Sequence, residues 1–498
     1  MYQPYTKPFA HQLETFEASK DRETFAVFWE QGTGKSKLTI DTIGHLWTED
    51  KIDAVIIVAP NGVHRNWITD ELPTHMSPEI PWEGFAYKGE ASSTKWHAHA
   101  LDSLVAVKGL AILAISYDSW ITTVGKKAVW KMMRKRRVMC ILDESHRAKT
   151  PSAVRTQSII KGGAHAPYRR ILSGTPVLQG PFDLYSQIKF LDPTFWEREL
   201  DIDSFTAFKA FFGIWEKKWN PLMKRWDKKT KSWVLGGEYD SFVAYQNIPD
   251  LAEAIKKISS RVLKEDVLDL PAKLYTKRYY EMFPAQKRLY EQIDKEYMAW
   301  LESGELVTAE LAIVRMIRLQ QVLCGYVPVD GDKEPTELID KDNNPRLKIL
   351  RDSMEDVNGK SIIWAQYTKD IDMILEILKA DGRNPVRYDG KMNSDQRQAS
   401  KDAFKKGDAT DFVANSTMAE GLTLNEAKTT LYFNNSYKYG DRLQTEDRNH
   451  RIGQDNHVTY IDFICAGTRD ENAIEALVSK REVASAILGD KVKDWISI

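Results

Sequence analysis

Phe25-Ala-Val-Phe28, followed by Trp29-Glu-Gln-Gly32-Thr33-Gly34-Lys35-Ser36, decides how this chain is to be read. An apolar run of strand length ends in a glycine-rich turn, and a helical pattern follows. Glycines let backbone N–H groups approach phosphate oxygens, and the N-terminus of the next helix favours their negative charge. In this reading Gly32, Thr33 and Gly34 form the cradle. Lys35 reaches the β- and γ-phosphates of a nucleotide, and Ser36 offers its hydroxyl to Mg²⁺. The full G-x-x-x-x-G-K-[ST] pattern wants glycine where Trp29 stands, so the stretch alone also fits an ordinary strand–turn–helix corner.

A second stretch bears on the choice. Ile141-Leu-Asp143-Glu144-Ser145-His146 places two carboxylates just after a buried strand. Ligands of open α/β sheets sit at that end of the strands, which weakens the alternative of two solvated loop acids. Asp143 would bind Mg²⁺ directly or through water, and Glu144 would position and polarise the attacking water.

Working outward, short apolar runs read as parallel strands: Ala54–Val58, Leu110–Ile115, Val138–Leu142 and, more weakly, Arg170–Leu172. Helical stretches lie between them, the alternation of a doubly wound α/β lobe. The pattern breaks after about Trp196, and residues Phe205 to Leu270 are aromatic, basic and irregular. It resumes near Lys360 with Ser361–Trp364, Val386–Tyr388, Asp411–Ala414, Thr430–Phe433 and Val458–Phe463. The expected organisation is a first lobe over 1–195, a mostly helical insertion and linker over 196–345, a second lobe over 346–470 and a helical segment over 471–498.

A length of 498 residues with 42% apolar and 28% charged residues supports packed cores in two or three domains. The net charge of −1 argues against a static nucleic-acid binder without excluding local contacts. Cys140, Cys324 and Cys465 lie too far apart for a CxxC site, which fits a reduced, cytoplasmic compartment. No signal-peptide layout or membrane-length apolar run is present, so no membrane partner is expected.

In motif content and order the chain resembles the superfamily 2 helicases, specifically their Swi/Snf-related DNA translocases. Pro8-Phe-Ala-His-Gln12 resembles the glutamine motif, and 29–36 resembles motif I, whose first glycine this branch normally replaces. Val58-Ala-Pro60-Asn61 through Arg65 and Trp67, with Glu71, is similar to motif Ia, and Ile115-Ser-Tyr117 to the next DNA-side motif. Asp143 to Lys149 resembles motif II, Leu172 to Pro176 motif III, and Ser361 to Gln366 motif IV. Asp389-Gly390 with Arg397 fits the next strand and helix. Ser416 to Asn425 resembles motif V, with Glu420 where the branch favours glycine. Gln444-Thr-Glu-Asp447-Arg448-Asn-His-Arg451-Ile-Gly453-Gln454 is an almost complete motif VI and the most specific match.

The resemblance implies two tandem RecA-like lobes sharing one ATP and Mg²⁺ site. Lys35, Ser36, Asp143 and Glu144 come from the first lobe, and Arg448 and Arg451 come from the second as arginine fingers. On spacing alone those arginines fit ordinary salt bridges to Glu446 and Asp447 better, and the motif context reverses that reading. Gln12 would read adenine, Gln454 joins the nucleotide-binding set, and closure of the lobes becomes part of the chemistry. Asn61, Arg65, Tyr117, Ser416 and Thr417 would contact DNA phosphates, which carry no sequence information.

The expected activity is ATP hydrolysis coupled to translocation on duplex or branched DNA, by a monomer. The long gap between Thr175 and Trp364 suits the insertions of this branch, and the short span from Asn425 to Gln444 leaves little room for a strand-separating hairpin. Two rivals remain: a true strand-separating or branch-migrating and annealing helicase, and a nucleotide-gated binding module with little turnover. A compact motor of this kind suits a bacterial cytosol or a virus-infected cell. Lys217 to Trp233 interleaves basic and aromatic residues around a turn expected at Asp227 to Ser232. It reads either as a DNA-touching hairpin or as a solvated one with its Trp residues packed. Lys131 to Arg137 reads as a solvated helix end. Arg261 and Leu263 to Pro271 match the family's segment entering the second lobe.

Overall fold

The computed structural model describes residues 2–227, 231–302, 309–327, 335–490 and 495–496. They group into two compact units. The first comprises Met1–Phe212, Tyr245–Asp269 and Glu482–Lys491, and the second Gly213–Ala244, Leu270–Arg481 and Val492–Ile498.

In the first unit, helix α1 (Ala10–Ser19) precedes β1 (Thr24–Trp29), which feeds helix α2 (Lys35–Thr48). Next come β2 (Ala54–Ala59), β3 (Trp82–Ala86), β4 (Leu110–Ser116), β5 (Val138–Asp143) and β6 (Tyr168–Leu172). Strands β7 (Gly213–Asp227) and β8 (Ser232–Tyr245) follow in the chain and group with the second unit, and β9 (Ser259–Val262) returns to the first. The seven-stranded sheet runs β3-β4-β2-β5-β6-β1-β9, and every pairing is parallel. Strands β2 and β4 bury every residue. A parallel sheet covered by helices on both faces imposes this, and it is why these strands read as unbroken apolar runs.

Arg170 on β6 is buried without a carboxylate partner. Its guanidinium donates to the carbonyl oxygens of Ser19, Arg22, Glu23 and Arg169 at 2.7–3.0 Å. Ser19 ends α1, so one of these bonds satisfies a helix-terminal carbonyl. Burial pushes the Arg170 guanidinium down to about 9.

In the second unit, β10 (Lys273–Tyr280) is followed by the two-residue strands β11 (Tyr326–Val327) and β12 (Thr336–Glu337). Then come β13 (Lys360–Ala365), β14 (Pro385–Tyr388), β15 (Asp411–Asn415), β16 (Ala427–Tyr432) and β17 (Val458–Cys465). The six-stranded sheet runs β10-β17-β16-β13-β15-β14, again parallel throughout. Two apolar clusters cover its faces: one includes Ile363, Ile374 and Phe463, the other Ile362, Trp364 and Phe412. The expected C-terminal helix spans Arg469–Leu488.

The stretch 196–345 carries several helices, the longest Pro284–Glu302 and Ala309–Leu323, and strands as well. It supplies one edge strand to each sheet, β9 and β10, and the antiparallel ribbon β7–β8. Edge strands need bury less, so Ser259-Ser-Arg-Val262 and Lys273-Leu-Tyr-Thr-Lys-Arg-Tyr-Tyr280 carry polar residues and hide from a search for apolar runs. Among the described residues no helix is long and apolar enough to cross a membrane. All three cysteines are buried, unpaired thiols.

A buried ionic cluster joins the edge strand β10 to the helix Tyr439–Glu446. Arg442 contacts Glu446 at 2.8 Å and both oxygens of Asp462 at 2.5 and 3.0 Å. Glu446 also accepts from Lys273 (3.0 Å), Tyr275 (2.8 Å) and the Trp495 indole (3.1 Å). Burial alone would raise the Glu446 carboxyl, but Lys273 and Arg442 outweigh it and draw the group down to about 2. A folded-state value below the ordinary 4.5 contributes stability that is present above pH 4.5 and lost as pH falls through 2. We expect Glu446→Gln to lose about 3 kcal/mol at neutral pH and to flatten the urea midpoint between those two pH values. An unchanged acid slope would contradict this assignment.

Candidate functional site

The first unit brings its motifs together at the C-terminal ends of β1, β5 and β6. After β1 the backbone turns through Gly32 and Gly34, both left-handed at φ 81° and 88°. Gly34 also accepts no side chain: a Cβ there would lie 2.1 Å from the Gln12 amide nitrogen. Gln12 donates to the Gly34 carbonyl (3.2 Å) and accepts the Phe9 N–H (2.8 Å), so the amide rests on the loop. His11 bonds the Thr33 carbonyl at 2.9 Å, and the Thr33 hydroxyl donates to the Glu30 carbonyl at 2.8 Å.

Lys35 opens α2, with its Nζ donating to the carbonyl oxygens of Trp29 (3.0 Å) and Glu30 (3.2 Å). Burial lowers the affinity of this amine for its proton, while the charges of Glu144 and Asp143 act the other way. Ser36, the second residue of α2, is partly exposed beside it.

Asp143 ends β5. Its Oδ2 accepts the Trp67 indole N–H at 2.9 Å, and its carbonyl accepts the Tyr117 hydroxyl at 2.8 Å. Burial, reinforced by the charge of Glu144, pushes the Asp143 carboxyl up to about 6. Glu144 holds a left-handed backbone at φ 52°, a conformation that costs a non-glycine residue energy and is found at functional sites. Its Oε2 is buried without a hydrogen-bond partner, 3.3 Å from His146 Nδ1. The contact is not an ion pair, because burial and then Arg147 push the imidazole down to about 3 and leave it neutral. His146 Nδ1 instead meets the Ser173 hydroxyl at 3.1 Å, and that hydroxyl accepts the Thr175 N–H at 3.1 Å. The acidic loop and the Ser173–Pro176 loop are thus tied by one neutral imidazole.

Residues without an expected role in the site complete the corner. Trp67 orients Asp143, and His146 links two loops. Arg261, on edge strand β9, donates to the carbonyls of Phe28 (2.7 Å) and Gly174 (3.4 Å) while pairing with both oxygens of Asp490 at 2.8–2.9 Å. The Lys264 N–H donates to Glu30 (2.8 Å), and its Cε lies 3.6 Å from the Cβ position of Gly32. A second lysine therefore reaches the phosphate loop from the segment Leu263 to Pro271.

In the second unit, Arg448 and Arg451 follow the helix Tyr439–Glu446. Arg448 donates to the carbonyls of Gln444 (2.7 Å) and Leu422 (2.9 Å) and contacts Asp447 at 3.2 Å. Arg451 donates to the Leu422 carbonyl (3.3 Å) and the Thr423 hydroxyl (3.0 Å). Both guanidiniums are docked on the loop Leu422-Thr423.

Three of the expected site residues are held in buried hydrogen bonds. Gln454 is buried, its NH₂ shared by the carbonyls of Asn425, Ala427 and Asn449 and its oxygen accepting the Asn456 N–H, so its amide is engaged by the fold. Tyr117 is buried with its hydroxyl donating to the Asp143 carbonyl. Ser416 is buried and accepts from Gln366 at 2.6 Å. Of the expected DNA contacts, Asn61, Arg65 and Thr417 are exposed. We expect Gln454→Ala to lower stability by about 1–3 kcal/mol, since buried carbonyls lose their donor, with no change in KM for ATP. A thermal melt and a KM measurement check it, and a raised KM at unchanged stability would support the nucleotide role.

Comparison with known proteins places this geometry. The SNF2-related domain family matches residues 26–325, and the helicase conserved C-terminal domain matches residues 345–453. A probable ATP-dependent DNA helicase of Arabidopsis thaliana, CHR12, is 26% identical over 471 residues, covering 92% of this chain and 39% of that protein. A probable chromatin-remodeling complex ATPase chain of Oryza sativa subsp. japonica is 23% identical over 474 residues, covering 92% and 38%. The chain thus spans about two fifths of the length of these relatives. The Sulfolobus solfataricus SWI2/SNF2 ATPase core in complex with dsDNA is 19% identical with a TM-score of 0.40, covering 98% of this chain and 95% of that one. With the SNF2-related domain matched over more than half of its residues, the chain belongs to the SNF2-related family of helicase-like ATPases.

Proposed function

We propose that the chain is a DNA-dependent ATPase that couples hydrolysis to translocation on duplex or branched DNA. The observation that carries the reading is the preformed corner of the first unit. There an ammonium, a glycine cradle and two strand-end carboxylates converge, and one buried carboxylate oxygen, Glu144 Oε2, has no partner.

Each residue's role follows from its surroundings. Lys35 exchanges its two carbonyl contacts for phosphate oxygens, and Lys264 adds a second cation beside Gly32. The loop N–H groups and the start of α2 favour the phosphates' charge. Glu144 Oε2 accepts a hydrogen bond from the attacking water and orients it. Ser36 and Asp143 are the groups that hold Mg²⁺ together with phosphate oxygens; such an ion usually keeps only one or two protein carboxylates. When bound, Mg²⁺ neutralises the charge developing on the transferring group. Gln12 reads the base. Arg448 and Arg451 leave Leu422 and Thr423 to meet the phosphoryl charge during turnover, a role worth about 10³–10⁵ in rate. Asn61, Arg65 and Thr417 contact DNA phosphates, which suits a motor indifferent to sequence. Three unpaired buried thiols support a reducing compartment, and we propose a monomer.

Duplex tracking is preferred over strand separation because Asn425 to Gln444 is filled by β16, a loop and the start of the helix Tyr439–Glu446. The deciding experiment measures ATPase rate without nucleic acid and with single strands, duplex, forks and RNA. Duplex DNA should stimulate most, and equal rates in all conditions would defeat the motor reading. Glu144→Gln should cost at least about 100-fold in kcat. Arg448→Ala or Arg451→Ala should each cost roughly 10³-fold with DNA binding retained. ATP-driven displacement of a third strand from a triplex, without opening of a fork, is the expected outcome for translocation.

A further inference from the structure

The ribbon β7–β8 pairs with neither parallel sheet. A two-stranded ribbon is marginal by itself, and this one leaves its aromatic side chains in water. Trp219, Trp226 and Trp233 are 63%, 50% and 68% exposed. Among the described residues only one other tryptophan, Trp96, is comparably exposed. Three of the four thus lie on one element, where burial cannot explain them. Trp226 and Trp233 meet edge to face at 5.7 Å and 71°, so the edge of one ring takes up one face of the other and the rings are not stacked on each other. Trp219 instead lies across Gly236, whose Cβ would come within 2.7 Å of the ring, and is held in place by that contact.

The charge around these rings selects the partner. The sequence Lys224-Arg-Trp-Asp-Lys-Lys-Thr-Lys231 carries five cations and one acid, although residues 228–230 lie outside those described. Lys217, further along the ribbon, is engaged by Asp240 at 2.8 Å. Lys218 and Lys231 are exposed. Two such ribbons facing each other would repel, as lysines on exposed strand edges do. Exposed indole rings on an element whose sequence is rich in cations match a base with its phosphate. Paired bases in a duplex hide their faces from such rings, whereas unpaired ones stack on them regardless of sequence.

We propose that the ribbon β7–β8 is a second nucleic-acid site that holds unpaired DNA, stacking bases on Trp226 and Trp233 with Lys218 and Lys231 near the phosphates. The inference rests on the reading of the chain as a DNA motor and adds a site outside the motor motifs. It gives the protein a means of gripping a loosened strand at a fork or branch while the motor motifs act on duplex.

The test uses the full chain without nucleotide and measures anisotropy of a labelled oligothymidine and of a blunt duplex. Trp226→Ala/Trp233→Ala should weaken oligothymidine binding roughly ten-fold or more, the effect of losing one stacked base. Duplex binding and duplex-stimulated ATPase should be unchanged. Equal loss on both ligands, or no loss on oligothymidine, overturns the proposal. So does a wild-type chain that self-associates through these residues while oligonucleotide binding is untouched by the substitutions. Should the alanine variant also lose ATPase, Trp226→Phe/Trp233→Phe decides: recovered single-strand binding supports stacking, and its absence overturns it. A wild-type ATPase indifferent to DNA would defeat the motor reading separately, because ribbon binding is read without ATP.

Discussion

The ammonium of Lys35 is held by the carbonyls of Trp29, the last residue of β1, and of Glu30 just beyond it, and the rest of the corner is arranged about that contact. Those carbonyls are available only because β1 stops there and its neighbours continue to be accounted for. Arg261 takes the carbonyl of Phe28, the N–H of Glu30 bonds Val262, and β6 and β9 flank the strand. Burial lowers the affinity of the amine for its proton, and the charges of Glu144 and Asp143 at the end of β5 act the other way. Charge is thus arranged before any phosphate arrives, so little reorganisation is left for the reaction itself.

Much of this was legible because buried parallel strands and glycine turns leave strong marks. Every apolar run read from Phe25 to Phe463 is a strand, and the phosphate loop and acidic pair fall where the strand ends required. What stayed hidden shares a physical cause. Edge strands β9 and β10 carry polar residues, and a two-period pattern over four to eight positions does not stand out. Tyr117, Ser416 and Gln454 sit in motifs whose general character is polar and functional, yet each side chain is consumed by a buried hydrogen bond. Spacing can place a residue in a loop but does not tell which way its side chain turns. Lys264 was likewise invisible in role, because its approach to Gly32 depends on β9 pairing with β1, a contact across more than 230 positions.

The second unit meets a related demand differently. Its motif VI helix is secured through Glu446, which collects Arg442, Lys273, Tyr275 and Trp495. Breaking one member of such a buried set leaves others uncompensated, which makes the arrangement specific even where it adds little net stability. Arg448 and Arg451, two and five residues beyond Glu446, therefore start from a fixed helix end. Hydrogen bonds to Leu422 and Thr423 are among the contacts that hold them there.

The three buried thiols have a practical corollary. With Cys140, Cys324 and Cys465 all shielded, the exterior offers no native cysteine to a maleimide dye. A single cysteine introduced on an exposed position of each unit would then label cleanly. The pair would report, one molecule at a time, how the distance between the units changes through a cycle of ATP binding and release.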